Sequence, residues 1–111
     1  MKINILGSEW TIEYRSPAED ELLLNTKDGY TDVSVKLIVI INEVNNDNEL
    51  QDFISYRKHI LRHEIVHAFM FESGLGHNVE HKPYGQEETM VDWIAFQFPK
   101  IYRAFVEADA L

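Results

Sequence analysis

The sequence contains no cysteine, which excludes disulfide scaffolds and every metal site built on thiolates. Any bound metal ion must therefore be held by histidine, aspartate or glutamate. Basic residues are also scarce, because ten lysines and arginines stand against nineteen acidic residues, for a formal net charge of −9. A chain this acidic lacks the basic face that nucleic-acid binding usually needs, so we expect no direct contact with nucleic acid.

Long hydrophobic runs are absent as well. No apolar stretch approaches the roughly 20 residues that a membrane-spanning helix needs, so we expect no membrane insertion. The first apolar run is too short for a signal peptide, and we therefore expect a cytoplasmic protein. The 111 residues are 45% hydrophobic, which suffices for one domain with a real core. We expect residues 1–111 to form that single domain.

The patterns along the chain predict an α+β fold, in which strands come first and helices follow. Short β-like runs cover residues 2–6 and 10–15 and are joined by a turn at "GSE". Residues 30–40, "YTDVSVKLIVI", end in a β-branched run and form the clearest strand in the chain. These three segments predict a small sheet.

The second half of the chain has helical patterns. One runs from about residue 50 to residue 72, with a candidate cap at Asn48 and an ending at Gly74. Another starts near Glu87, and Pro99 is expected to end or kink it before a final amphipathic segment.

The first of these helices carries the motif H-E-x-x-H as His63, Glu64 and His67. Positions i and i+4 lie on one helical face, so both imidazoles can reach a single Zn²⁺ at about 2.0–2.1 Å. Glu64 is placed to take a proton from a water at the metal, as a general base. The alternative is a metal-free helix whose polar groups hydrogen-bond to neighbouring loops. The apolar surroundings favour the metal, because unpartnered buried polar groups are costly.

A catalytic zinc ion needs a third protein ligand and keeps one position open. The candidates downstream are His77, His81, Glu87, Glu88 and Asp92. Glu88 and Asp92 are four residues apart on one helical face. Glu88 can therefore bind the metal while Asp92 accepts a hydrogen bond from a ligating histidine. Glu87 points about 100° away around the helix and suits the positive end of the helix dipole.

Three further polar residues lie near this motif in the sequence. His81 and Tyr84 follow the first long helix in a glycine-rich loop, and each is a candidate donor to the oxyanion of a tetrahedral intermediate. His59 lies one helical turn before His63. We predict a surface or capping role for it, because three histidines along one helix cannot all approach one metal ion.

These motifs resemble the ImmA/IrrE-type metallopeptidases, which are common in prophages and mobile elements. That group carries H-E-x-x-H followed by a helix of the form E-x-x-A-N-x-F-A, and here "LRHEIVHAF" precedes "EETMVDWIAFQFP". Glu88 falls on the ligand position of that helix, and Asp92 replaces its asparagine. The resemblance covers about residues 28–100. It implies a zincin-like minimal gluzincin: a small twisted β-sheet packed on an active-site helix, with a second helix that bears the glutamate ligand.

The resemblance also implies a function, namely a zinc-dependent peptidase that cleaves a protein substrate such as a phage or mobile-element repressor. In zincins an edge strand before the active-site helix pairs with the extended substrate. The predicted substrate strand comprises Lys36, Leu37, Ile38, Val39 and Ile40. The alternative is a non-catalytic, zinc-stabilised phage interaction module, in which His81 or Asp92 closes the metal site as a fourth ligand. The oligomeric state is left open.

Overall fold

A four-stranded sheet and two long helices make up most of the chain that the computed structural model describes, which is residues 1–25, 27–42, 52–75 and 87–111. The strands are β1 (Lys2–Ile5), β2 (Ser8–Arg15), β3 (Gly29–Asp32) and β4 (Leu37–Ile41). The helices are α1 (Glu21–Asn25), α2 (Phe53–Glu72) and α3 (Glu88–Glu107), and a short 3-10 turn covers Pro17–Glu19. The predicted α+β class is confirmed. The predicted cap at Asn48 lies outside the described residues.

The hairpin between β1 and β2 is tighter than the sequence suggested. Ser8 and Glu9 already belong to β2, and the turn consists of Leu6 and Gly7, with φ of +50° and +91°. Positive φ at both central residues is the geometry of a two-residue hairpin whose twist matches its strands. The Asn4 side chain stabilises the turn by accepting a hydrogen bond from the Gly7 N–H at 3.0 Å.

β4 lies inside the sheet, which has the order β1-β2-β4-β3. It runs parallel to β2 and antiparallel to β3, so both of its edges are paired. Ile38 and Ile40 join the core cluster beneath α2, whereas Val39 and Ile41 join a second cluster with Leu23 of α1. Because β4 is covered on both faces, its sequence is an unbroken apolar run without polar alternation.

The prediction of one strand over residues 30–40 was wrong, because the chain reverses direction between Asp32 and Leu37. The Asp32 carboxylate accepts a hydrogen bond from the Ser34 N–H at 3.0 Å, which stabilises a turn. Lys36 completes the reversal with a φ of +53°.

The predicted substrate strand was also wrong. The residues assigned to it were Lys36, Leu37, Ile38, Val39 and Ile40. The first lies in the turn, and the other four belong to β4, which has no free edge to offer a peptide. Among the described strands, the sheet edges are β1 and β3.

Helix α2 packs on the sheet and begins and ends with clear signals. The Asp52 side chain caps it by accepting from the Ser55 N–H at 3.1 Å, and Gly74 follows its last turn with a φ of +93°. The predicted ending at Gly74 is therefore confirmed. Near this end, the Glu72 carboxylate accepts from Trp10 Nε1 at 2.8 Å. This hydrogen bond joins the C-terminal end of α2 to β2 and lowers the pKa of Glu72 below its ordinary value.

Helix α3 packs against α2 and continues through Pro99, which was predicted to end or kink the helix. A proline has no N–H, so within a helix it leaves the carbonyl four residues earlier without its usual partner. Here that carbonyl belongs to Ala95, and it accepts a hydrogen bond from Nε of Arg62 on α2 at 2.5 Å. No helix among the described residues is long and apolar enough to cross a membrane.

Candidate metal centre

His63 and His67 lie one turn apart on the face of α2 that meets α3. Their ring centroids are 4.9 Å apart, and their side chains are 17% and 18% exposed. The i and i+4 spacing places both imidazoles on one side of the helix, as the motif predicted. The two rings therefore form a partly shielded pair of nitrogen donors.

Glu88, the first residue of α3, faces this pair. One carboxylate oxygen lies 3.0 Å from Nε2 of His63 and the other lies 3.1 Å from Nε2 of His67. The three donor atoms all fall within 4.8 Å of one another. The Glu88 side chain is 67% exposed, so this group opens to solvent on the glutamate side. The structure thus brings together the three residues that were predicted as metal ligands.

Glu87 has a different place, although it precedes Glu88 directly. Its carboxylate accepts hydrogen bonds from the backbone N–H groups of Thr89 at 3.0 Å and Met90 at 2.6 Å. These hydrogen bonds to the Met90 and Thr89 amides cap α3 and lower the pKa of Glu87 below its ordinary value. Because the cap engages this carboxylate, Glu88 rather than Glu87 is free to face the histidines.

Asp92 joins two histidines of α2. Its Oδ1 lies 3.2 Å from Nδ1 of His63 and 2.7 Å from Nε2 of His59. Partial burial raises the pKa of Asp92, but the hydrogen bonds with His59 and His63 outweigh that effect and hold the pKa below its ordinary value. With a proton on Nδ1 shared with Asp92, His63 keeps the lone pair of Nε2 directed at the ligand group.

The contacts of His59 go beyond the surface or capping role predicted for it. Its ring is 18% exposed and packs edge-on against Phe96, with the centroids 5.7 Å apart. Its Nδ1 is buried without a hydrogen-bond partner among the described residues. The ring nitrogen that meets the Asp92 carboxylate is Nε2, so this contact uses a proton on Nε2.

The donor set fits a zinc ion. Two imidazole nitrogens and one carboxylate are a known ligand set for catalytic zinc, with bonds of about 2.0–2.2 Å. Tetrahedral ligands at such bond lengths are separated by about 3.3 Å. Glu88 lies at 3.0–3.3 Å from the two Nε2 atoms, close to that separation. The exposed side of the group leaves room for the fourth ligand that a catalytic site keeps open.

Glu64 is not a member of this ligand group, although it directly follows His63 in the sequence. Glu64 is buried, at 7% exposure, and its Oε2 accepts a hydrogen bond from the Thr31 hydroxyl at 2.6 Å. Glu64 therefore adjoins a ligand residue in the sequence, while a residue of β3 holds its carboxylate.

Three candidate site residues lie outside the described residues, namely His77, His81 and Tyr84. The structure therefore does not test the two predicted oxyanion donors, His81 and Tyr84. No sequence pattern pointed to Thr31, because its contact with Glu64 depends on how β3 packs on α2. His59 did carry a signal, namely its four-residue spacing from His63, but its link to Asp92 needs the packing of α3.

Comparisons of the chain with protein-family models, with curated proteins and with solved structures found no match.

Proposed function

We propose that the protein is a zinc-dependent peptidase of the gluzincin type. The observation that carries the proposal is the convergence of His63, His67 and Glu88 from two helices, with their donor atoms within 4.8 Å, beside a buried glutamate that is not a ligand. A purely structural zinc site has no need of that glutamate. The resemblance of the two helices to ImmA/IrrE-type metallopeptidases supports the same assignment.

Each residue of the site has a distinct role in this proposal. His63, His67 and Glu88 hold the Zn²⁺, and Asp92 fixes the tautomer of His63. A Zn²⁺ ion held there would supply Lewis acidity to the scissile carbonyl and to the attacking water. Glu64 accepts the proton of the attacking water and passes it to the leaving amine.

The substrate binds along β3 in this proposal, because β3 is the edge strand whose Thr31 contacts α2. Ile41 donates its N–H to the carbonyl of Asp28, the residue before β3, at 2.8 Å, and continuing the register that pairs Gly29 with Ile40 places Asp28 opposite Ile41. Hydrogen-bonding groups alternate between the two sides of an antiparallel strand. Gly29 and Thr31 therefore point their N–H and C=O groups outward, where an extended peptide adds as a further strand. A phage or mobile-element repressor is the kind of substrate that the resemblance implies.

The experiment is cleavage of a fluorogenic peptide library by the zinc-loaded protein. We expect cleavage by the wild type and a loss of about 10²–10⁴ in rate for Glu64→Gln, since this change removes the general base. Glu64→Gln should bind zinc as the wild type does, whereas His63→Ala should not. Glu107→Gln, at the end of α3, is a matched control and should cleave normally. A Glu64→Gln protein that loses zinc as fully as His63→Ala would show that Glu64 is a ligand or a structural residue.

A second candidate function is a non-catalytic, zinc-stabilised interaction module. The observation in its favour is the exposed aromatic surface of α3. Five of its aromatic side chains are 48–56% exposed: Trp93, Phe96, Phe98, Tyr102 and Phe105. Contiguous exposed apolar surface is typical of a binding surface for another protein, and Phe98 and Tyr102 stack on each other with their centroids 6.3 Å apart. Zinc binding without cleavage of any library peptide would favour this second function.

A further inference from the structure

β3 and α2 lie side by side, and they contact each other at intervals that match in length. A Cβ on Gly29 would lie 2.7 Å from Cγ2 of Ile60, so the absence of a side chain at residue 29 allows α2 to approach β3 closely. Two residues further along β3 and four residues further along α2, Thr31 meets Glu64. Two residues of a strand and four residues of a helix both advance about 6–7 Å. The Gly29–Ile60 and Thr31–Glu64 contacts therefore follow one another along the same interface between β3 and α2.

The Thr31 hydroxyl has one proton to donate, and two oxygens of Glu64 lie within reach of it. Oγ1 lies 2.6 Å from Glu64 Oε2 but 3.1 Å from the Glu64 backbone carbonyl, so the carboxylate is the better acceptor. Asp20 and Glu64 are the two buried polar side chains among the described residues. A carboxylate as buried as Glu64 needs a donor, and a short hydrogen bond from a strand residue restricts its rotamer.

The backbone of Thr31 also faces the edge of β3 that no described strand covers. Its N–H and C=O point away from β4, on the side where an extended peptide would pair. The same residue therefore contacts the proposed base through its side chain and the proposed substrate through its main chain.

We propose that Thr31 is a positioning residue for Glu64, and that it joins substrate pairing at β3 to the orientation of the base. This inference rests on the proposed peptidase function. The hydroxyl holds one oxygen of Glu64, so that the other carboxylate oxygen is directed toward the attacking water. A peptide bound to the Thr31 main chain further restricts β3 and thus keeps the hydroxyl on Glu64. Precise positioning of this kind contributes to rate rather than to binding.

The test compares Thr31→Val with Thr31→Ser on the library peptide that the wild type cleaves best. Valine keeps the shape and the backbone but removes the donor. Thr31→Val should lower kcat about 10- to 100-fold, as loss of an outer hydrogen-bond partner typically does, with KM and zinc affinity unchanged. Thr31→Ser should restore most of the kcat. In the Glu64→Gln background, Thr31→Val should cause no further loss, because the base it positions is already absent.

Thr11→Val is the matched control, since Thr11 lies on β2, which β4 separates from β3, and it should retain normal kcat. The inference is overturned if Thr31→Val keeps wild-type kcat, if Thr31→Ser is as slow as Thr31→Val, or if Thr31→Val loses zinc. Each of these results would show that the Thr31 hydroxyl does not contribute to catalysis or that it only stabilises the structure. Absence of cleavage by the wild type would instead overturn the proposed function, and the inference with it.

Discussion

Glu88 Oε2 lies 3.0 Å from His63 Nε2, although the two residues belong to different helices. The candidate metal centre therefore depends on the packing of α3 against α2 as much as on the H-E-x-x-H motif. The contacts that hold the two helices together should accordingly affect the metal site, and those that only cap or lengthen a helix should not.

Replacement of Glu88 by alanine should weaken zinc binding more than any other change in α3. We expect a loss greater than the roughly 10- to 100-fold that removal of an outer hydrogen-bond partner causes. Glu87→Ala is the matched neighbour, since it removes the cap of α3 and should lower the melting temperature while zinc affinity stays close to wild type. Competition with a chromophoric chelator measures both affinities. A greater zinc loss in Glu87→Ala would reverse the assignment of the ligand.

Asp92→Ala should lower zinc affinity about 10- to 100-fold, because His63 loses the acceptor that orients its ring. His59→Gln is the comparison variant. It leaves the contact between His63 and Asp92 in place, so its zinc affinity should fall less. The same chelator competition measures the two variants. Equal zinc affinity for Asp92→Ala and the wild type would show that Asp92 does not orient His63.

Arg62→Met should lower the free energy of unfolding by about 1–3 kcal/mol, because it leaves the Ala95 carbonyl without a donor. Pro99→Ala supplies an N–H at the position from which a helix normally bonds that carbonyl. The cost of Arg62→Met should therefore be smaller in the Pro99→Ala background. Urea unfolding of the four proteins in this double-mutant cycle measures the difference. The same cost in both backgrounds would mean that Arg62 does not replace the bond that Pro99 lacks.

The local part of this architecture could be predicted from the sequence, and the reasons are physical. The H-E-x-x-H helix and its ending at Gly74 depend on spacing and capping within a few residues. The same holds for the placement of Glu88 and Asp92 on one face of the next helix. Helical periodicity fixes these relationships whatever the rest of the chain does.

The features that the sequence did not reveal depend on contacts between distant segments. Residues 30–40 alternate like a strand, but the Asp32 side chain and the left-handed Lys36 reverse the chain there. Pro99 is a strong helix-breaking signal, which the remote Arg62 offsets. The prediction that the segment from Lys36 offers a free edge was wrong, because the strand order places β4 between two partners. Pairing between distant segments cannot be predicted from the sequence of any one segment alone.

The stability of the sheet should fall at acid pH partly because of Asp20. Burial raises the pKa of Asp20, but hydrogen bonds from Tyr30 at 2.6 Å and Arg15 at 2.8 Å, with backbone N–H groups, hold it below its ordinary value. Burial and the Asp20 contact raise the pKa of Tyr30 to about 12. Because the folded pKa of Asp20 lies below the unfolded value of about 3.9, its contribution to stability is present above about pH 4. That contribution is lost as the pH falls through the folded pKa.

Asp20→Asn should therefore lower stability at neutral pH and flatten its decline below about pH 4. Asp109→Asn, at the exposed C-terminal end, is the control and should retain the wild-type decline. Urea unfolding between pH 7 and pH 2 provides the comparison. An Asp20→Asn profile parallel to that of the wild type over this range would contradict the role assigned to Asp20.

The central claim is that His63, His67 and Glu88 hold one zinc ion with a coordination position left open. The most direct measurement is anomalous diffraction at the zinc absorption edge, from crystals of protein purified without chelators or metal-affinity resin. The account predicts one peak per chain, within about 2.0–2.2 Å of the two Nε2 atoms and a Glu88 oxygen, with a non-protein fourth ligand. The absence of a peak after zinc has been supplied would contradict the metal site. A peak closed by a fourth protein side chain would contradict the peptidase.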